Sequence, residues 1–142
     1  MREILFRGKT VKQNNGVTTG RPIKENMWVY GNLTVGEIEG YKSDMISNKK
    51  EIYRINPETV GQFTGLTDKN GKKIFEGDIV QGTIVSAWNK ALIRCEVVYN
   101  KDGFISVERT RNQDWIHKVK FAKDIEVIGN IYDNPELLEV EQ

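Results

Sequence analysis

Short runs of alternating apolar and polar residues recur along the chain, and glycine, asparagine or aspartate separates them. Alternation with a period of two is typical of half-buried strands, whereas the 3.6-residue period of a helix is nearly absent. The pattern therefore predicts a mainly β protein with antiparallel strands. Strands are predicted at residues 4–7, 27–33, 51–55, 92–99, 104–110, 115–122 and 125–132, with polar connections at residues 12–24 and 42–50.

Two hairpins give the sharpest local predictions. Asn70-Gly71 is the preferred centre of a type I′ turn, because both positions of that turn require positive φ. Residues 100–103, with the sequence Asn-Lys-Asp-Gly, should close a hairpin between residues 92–99 and 104–110. In the first of these strands one face is predicted to carry Ile93, Cys95, Val97 and Tyr99, and the other Arg94 and Glu96.

Two Asn-Pro pairs predict helical turns, since asparagine is a good N-cap and proline suits the first helical position. Asn56 would cap one turn, and Asn134 would cap a short C-terminal helix whose Leu137 and Leu138 fold back on the domain. With the strands, these turns predict a small SH3-like, partly open barrel with additional N-terminal strands. Residues 1–55 would form an N-terminal β subdomain and residues 56–142 the barrel module, in two units or one compact unit.

Two segments carry a family resemblance. They are NPETVGQFTGLTDKNGKKIFEGDIV at residues 56–80 and VIGNIYDNPELL at residues 127–138. Both resemble, in the same order, the YopX family of phage and prophage proteins, and the match is loose between residues 81 and 126. The resemblance implies a phage-derived protein of the bacterial host cytoplasm, and it implies no particular biochemical activity.

Composition narrows the function classes. The 142-residue chain has 21 basic and 20 acidic side chains and a net charge of +1, which argues against non-specific coating of nucleic acid but not against a local basic surface. Cys95 is the single cysteine, so the chain has no intramolecular disulfide and no cysteine-based zinc site. The first residues contain no apolar stretch long enough for a signal peptide or a membrane span, which agrees with a cytoplasmic location.

Candidate catalytic groups are sparse, and we expect no enzyme, no cofactor and no metal. Glu76 and Asp78 could share a face and act on a cation or a proton, but a glycine between two acids more often makes a bend whose carboxylates cap backbone N–H groups. His117, the single histidine, follows Trp115 by two residues and is expected to be packed rather than catalytic.

The stretch before the acidic C-terminal end is the candidate nucleic-acid surface. Trp115 and Phe121 lie within it, as a stacking platform for single strands would require. In a regular strand, however, the lysines would face away from these rings, so a solvated face over buried aromatic residues explains the same pattern. The candidate residues are Arg109, Arg111, Lys118, Lys120 and Lys123.

Self-association is the other predicted property. Short strands that carry many of the 13 aromatic residues can hide their edges by pairing with copies of the chain. Trp28, Tyr30 and Trp88 are predicted near the contact, and the acidic end after Lys123 complements the basic stretch before it. The first hypothesis is thus a non-enzymatic interaction or assembly module, a homo-oligomer that could also bind a host or phage protein. The alternative is a nucleic-acid-binding accessory protein of phage replication or regulation.

Overall fold

The computed structural model describes residues 3–16, 18–38 and 41–139, and it confirms a mainly β protein with antiparallel sheets. The helical residues of the described chain form two 3-10 turns, Pro57–Thr59 and Pro135–Leu138. The strands are β1 (Phe6–Lys9), β2 (Gln13–Asn15), β3 (Pro22–Ile23), β4 (Trp28–Ile38), β5 (Tyr41–Ser47), β6 (Ile52–Arg54), β7 (Gly61–Thr67), β8 (Lys73–Phe75), β9 (Asp78–Val85), β10 (Lys90–Asn100), β11 (Gly103–Arg109), β12 (Asp114–Lys118) and β13 (Glu126–Asn130).

The chain divides into two compact units, Met1–Phe63 and Thr64–Gln142. The sequence predicts the division earlier, after residue 55, and that domain boundary stays a prediction. Strand β7 begins in the first unit, where Gly61 and Gln62 pair with β1, and it ends in the second, where it neighbours β8.

In the first unit the strands follow the order β6-β5-β4-β1. Its core is built on Val29, Ile46 and Ile55. Two predictions are wrong here. Strand β5 occupies most of the predicted connection at residues 42–50, because Ile46 is fully buried and pairing with β4 and β6 satisfies the backbone of a mostly polar segment. The predicted loop at residues 12–24 contains the two-stranded ribbon β2-β3.

The first Asn-Pro pair behaves as predicted. Asn56 accepts a hydrogen bond from the backbone N–H of Glu58 through Oδ1 at 3.1 Å, and Pro57 begins the turn. Asn134 does not cap, because its Oδ1 accepts from the backbone N–H of Asn130 at 3.3 Å instead. The predicted C-terminal helix is therefore reduced to a single 3-10 turn.

In the second unit five strands follow the order β12-β11-β10-β9-β13. The buried cluster joins this sheet to β8 and to the segment after β12; it consists of Ile74, Val80, Cys95, Val97, Val119, Ile125 and Val127. The strand predicted at residues 115–122 ends at Lys118, because the chain turns at residues 119–120 and brings Val119 into this core. Closure into an SH3-like barrel stays a prediction.

The hairpin at Asn70-Gly71 is confirmed, but its type is different. Gly71 has φ of 80°, whereas Asn70 is not among the described non-glycine residues with positive φ. The carboxylate of Asp68 accepts from the backbone N–H groups of Asn70 and Lys72, each at 2.9 Å, and Gly71 N–H donates to the Asp68 carbonyl. An aspartate that binds the backbone two residues later stabilises a turn with one left-handed residue, so type I′ geometry is not needed.

The second hairpin is confirmed in register. Asn100 pairs with Gly103, and Gly103 has φ of 97°, as the end of a tight turn requires. The alternation is confirmed in the middle of β10, where Cys95 and Val97 are buried and Arg94 on the opposite face is exposed, but Tyr99 at the end of the strand is 59% exposed.

Candidate interaction surface

The loop between β9 and β10 presents a fully exposed tryptophan. Trp88 is 96% exposed, the largest value among the exposed apolar side chains of the described chain. The loop itself is held closed, because Ser86 N–H donates to the Asn89 carbonyl at 2.8 Å and Asn89 N–H donates to Ser86 Oγ at 3.1 Å. The indole therefore stands in solvent on a hydrogen-bonded hairpin end.

Further apolar side chains of β9, β10 and β12 are exposed. Val85 on β9 and Leu92 on β10 flank the hairpin end. The first residue pair of these two strands is Val85 with Lys90. On β12, Trp115 is 51% exposed and Ile116 is 67% exposed. We refer to Val85, Trp88, Leu92, Trp115 and Ile116 as the apolar set. These side chains lie on the five-stranded sheet and its hairpin end, with Trp115 and Ile116 on opposite faces, and we treat them as candidate contact residues.

The basic candidates are all exposed, but the structure does not gather them at one place. Arg109 is engaged by two acids, Asp114 at 2.8 Å and Glu96 at 3.3 Å. Lys118 lies at the other end of β12 from Asp114, four residues or about 13 Å along the strand, and it pairs with Ile105 of β11. Arg111 lies in the loop before β12, and Lys120 and Lys123 follow that strand.

The two aromatic residues of this stretch behave differently. Phe121 is half-buried against the core, as the interpretation of buried rings predicts. For Trp115 that interpretation is wrong, because β12 is an edge strand and its indole is left half in solvent. Alternation places Lys118 on the face opposite Trp115, as predicted.

The acidic end is partly engaged within its own unit. Asp124 accepts from Thr83 N–H at 3.0 Å and from Thr83 Oγ1 at 2.7 Å, and these bonds lower the pKa of Asp124. Glu126 contacts Lys69 at 3.4 Å. These acids therefore hold the fold locally, and residues 140–142 of this end lie outside the described part of the chain.

Two of the predicted contact residues, Trp28 and Tyr30, lie on β4 of the first unit. Trp28 is half-buried, with the guanidinium carbon of Arg7 4.7 Å and Lys9 Nζ 5.4 Å from its ring centroid. Tyr30 is exposed. The ring of Trp28 is thus covered in part by cations of its own unit, which leaves Tyr30 and Trp88 as the more accessible of the three.

The Glu76-Gly77-Asp78 segment is a structural bend. Asp78 is buried and accepts from the backbone N–H of Phe75 at 2.7 Å, while Gly77 has φ of 90°. The carboxylate of Asp78 therefore caps a turn, as the structural interpretation predicts. Among the described residues no group of three or more histidine, cysteine, aspartate or glutamate side chains could hold a metal ion.

Cys95, Ser106 and His117 lie on the buried face of the sheet. Burial, with a smaller effect of Glu108, raises the pKa of the Cys95 thiol to about 12. Ser106 pairs with His117 across β11 and β12, and neither Ser106 Oγ nor His117 Nε2 has a hydrogen-bond partner among the described residues. Ser106 belongs to no motif in the sequence that marks it as a site residue. Its side chain is completely buried, so this pair presents no nucleophile to solvent.

The C-terminal turn packs against β10. Leu137 and Leu138 are half-buried and line a groove of about 420 Å³ with Leu92 and Ile93. Arg94 donates to the Leu137 carbonyl at 3.4 Å. The two leucines thus fold back on the sheet of the second unit.

Comparison with known proteins places the chain in one family. The model of a family described as "YopX protein" matches residues 21–139. Among solved structures, "Crystal structure of protein EF1440 from Enterococcus faecalis" is similar, with 22% identity, 98% of this chain and 100% of that chain covered, and a TM-score of 0.48. No curated protein matches the sequence. In the described residues no helix has the length and apolar character needed to cross a membrane.

Proposed function

The chain belongs to the YopX protein family, and from that premise we propose that it is a non-enzymatic interaction or assembly module that forms a homo-oligomer. The observation that carries the proposal is the apolar set, which lies on β9, β10, β12 and the loop between β9 and β10. Exposed tryptophan is favoured at protein interfaces, because a rigid amphipathic ring buries a large area at little entropic cost.

The family resemblance supplies the setting of the proposal. It implies a phage or prophage protein in the cytoplasm of a bacterial host. In this account the second unit is a partly open SH3-like barrel that carries the contact surface. A host or phage protein would be the second kind of partner, bound through the same exposed aromatic residues.

Nucleic-acid binding is the second candidate function, and the exposure of Trp115 favours it. An indole that is 51% exposed can stack on a base, and Arg111, Lys118, Lys120 and Lys123 are exposed in the same stretch. The engagement of Arg109 by Glu96 and Asp114 weighs against it, since a guanidinium held by two carboxylates is a poorer phosphate ligand.

Two measurements separate these functions. Retention on columns of single- and double-stranded DNA should be weak and only shallowly dependent on salt, because few phosphate contacts would be made. Light scattering should meanwhile give a mass above that of one chain. A steep salt slope with a monomeric mass would reverse the assignment in favour of nucleic-acid binding.

A further inference from the structure

Strand β12 is an open sheet edge with apolar side chains on both faces. It lies at one end of the five-stranded sheet, and in the described residues its strand neighbour is β11. Trp115 and Ile116 are consecutive, so they point to opposite faces, and both are exposed. Soluble proteins usually protect such edges with charges, proline or a bulge, because unpaired backbone groups recruit another strand. The charged residues of β12 stand at its ends, and its three central residues offer no such protection.

The sequence of β12 complements a second copy of β12 that runs antiparallel to it. In an antiparallel pair centred on Ile116, Asp114 lies opposite the partner subunit's Lys118, and Trp115 lies opposite the partner subunit's His117. Ile116 meets its own copy. Alternation places the opposite charges and the isoleucines on one face and the aromatic rings on the other. Parallel pairing in register would instead set Asp114 against its copy and Lys118 against its copy, which like-charge repulsion disfavours.

We propose that a second copy of this chain docks on β12, so that two β12 strands pair antiparallel about a twofold axis at Ile116. The inference rests on the proposed function, and it names the contact through which self-association occurs. The two five-stranded sheets join into one continuous sheet of ten strands. Such an interface is isologous and closes after two subunits, so it yields a dimer and not a filament.

The charged ends of β12 set register more than affinity. Asp114 is half exposed and already contacts Arg109 at 2.8 Å, and Lys118 is exposed. Solvated ion pairs contribute little to affinity. Two like charges directly opposite each other on the paired strands, however, repel and destabilise that alignment. The paired backbone and the apolar residues at the centre of the strand therefore hold the dimer, and the charges exclude shifted alignments.

The first test compares Ile116→Lys with Val35→Lys by sedimentation velocity of the full chain. Both side chains are similarly exposed, at 67% and 69%, but Val35 lies on β4 in the first unit. Wild type and Val35→Lys should dimerise alike. Ile116→Lys should weaken the dimer at least about tenfold, because two lysines would meet at the twofold axis. Circular dichroism verifies that each variant is folded.

The second test exchanges the charges. Asp114→Lys and Lys118→Asp should each weaken the dimer, since each sets like charges opposite each other, and the double variant D114K/K118D should restore it. A wild-type oligomer that is insensitive to Ile116→Lys and to the charge variants would overturn the β12 contact and leave self-association through another surface. A wild-type monomer at about 100 µM would overturn the proposed self-association and this contact with it.

Discussion

Asp68 accepts a hydrogen bond from the backbone N–H of Val127 through Oδ2 at 2.9 Å, across 59 positions of sequence. Its other oxygen organises the hairpin turn by accepting from the N–H groups of Asn70 and Lys72. Lys69 N–H also donates to the Ile125 carbonyl at 2.9 Å. One carboxylate thus shapes the turn and holds it against β13, and it joins the two segments on which the family resemblance rests.

Asp68→Ala should therefore destabilise the second unit by about 2–3 kcal/mol, because it leaves three backbone N–H groups without their charged acceptor. Urea unfolding monitored by tryptophan fluorescence measures the change. Asp68→Asn is the matched control and should cost less, since its amide oxygen can keep the turn while the bond to Val127 is lost. A loss below about 0.5 kcal/mol for the alanine variant, the scale of ordinary surface changes, would contradict this role.

The lowered pKa of Glu51 predicts that acid destabilises the first unit. The backbone N–H of Thr18 makes the largest contribution, and with the bonds from Ile52 and Thr19 it outweighs the opposing effect of burial, so the pKa of Glu51 falls from 4.5 to about 2. Because the folded pKa lies below the ordinary value, Glu51 stabilises the fold above pH 4.5, and this stabilisation is lost as the pH falls towards 2.

Thermal midpoints of wild type and Glu51→Gln measured between pH 2 and pH 7 check this. The variant should be less stable at neutral pH, and its difference from wild type should shrink towards pH 2. Glu58→Gln, at an exposed glutamate of the same unit, is the control and should follow wild type. A difference between wild type and Glu51→Gln that stays constant with pH would show that ionisation of Glu51 does not matter.

Gly71→Val should cost about 1–2 kcal/mol, because a β-branched residue is poorly tolerated at positive φ. A Cβ at this position would meet nothing within 4 Å, so the cost is backbone strain and not a clash. Asparagine accepts left-handed geometry more readily, and Gly71→Asn should lose clearly less stability in the same urea unfolding measurement. Equal losses for the two variants would contradict a strain origin.

Truncation after Asp133 should lower the thermal midpoint by several degrees, since Leu137 and Leu138 are half-buried against β10. Half-burial of two leucines contributes roughly 1.5–3 kcal/mol. The double substitution of Leu137 and Leu138 by serine should reproduce most of the loss, whereas serine at the exposed Glu136 should not. An unchanged midpoint in scanning calorimetry would show that the turn adds no stability.

The local features of the fold could be predicted from the sequence, because they depend on neighbouring residues. The hairpin closed at Gly103 combines a two-residue period with turn chemistry, and the N-cap at Asn56 is a dipeptide signal. Strand β5 was missed because a single fully buried side chain, Ile46, gives almost no periodic signal, and pairing with β4 and β6 decides its structure. The predicted type I′ turn at Asn70 was wrong because the Asp68 carboxylate accepts a hydrogen bond from the Asn70 N–H and so stabilises a different turn type.

The candidate surface was harder to predict because exposure depends on strand order. The alternation of apolar and polar residues alone predicts that Trp115 is a core residue. Its indole lies half in solvent because β12 is an edge strand. The engagement of Arg109 by Glu96 depends on register across β10 and β11, which no local pattern contains. Trp88 is exposed because its short polar loop has no strand to bury it, and its place near a contact between copies stays a prediction.

Sedimentation equilibrium of the wild-type chain at about 100 µM tests the central claim most directly, since even a contact with a dissociation constant of ~10 µM would be largely formed at that concentration. The account predicts a mass above 16.3 kDa that increases with concentration towards that of the dimer. A mass that stays at 16.3 kDa across the range would contradict self-association through the exposed apolar residues of the second unit.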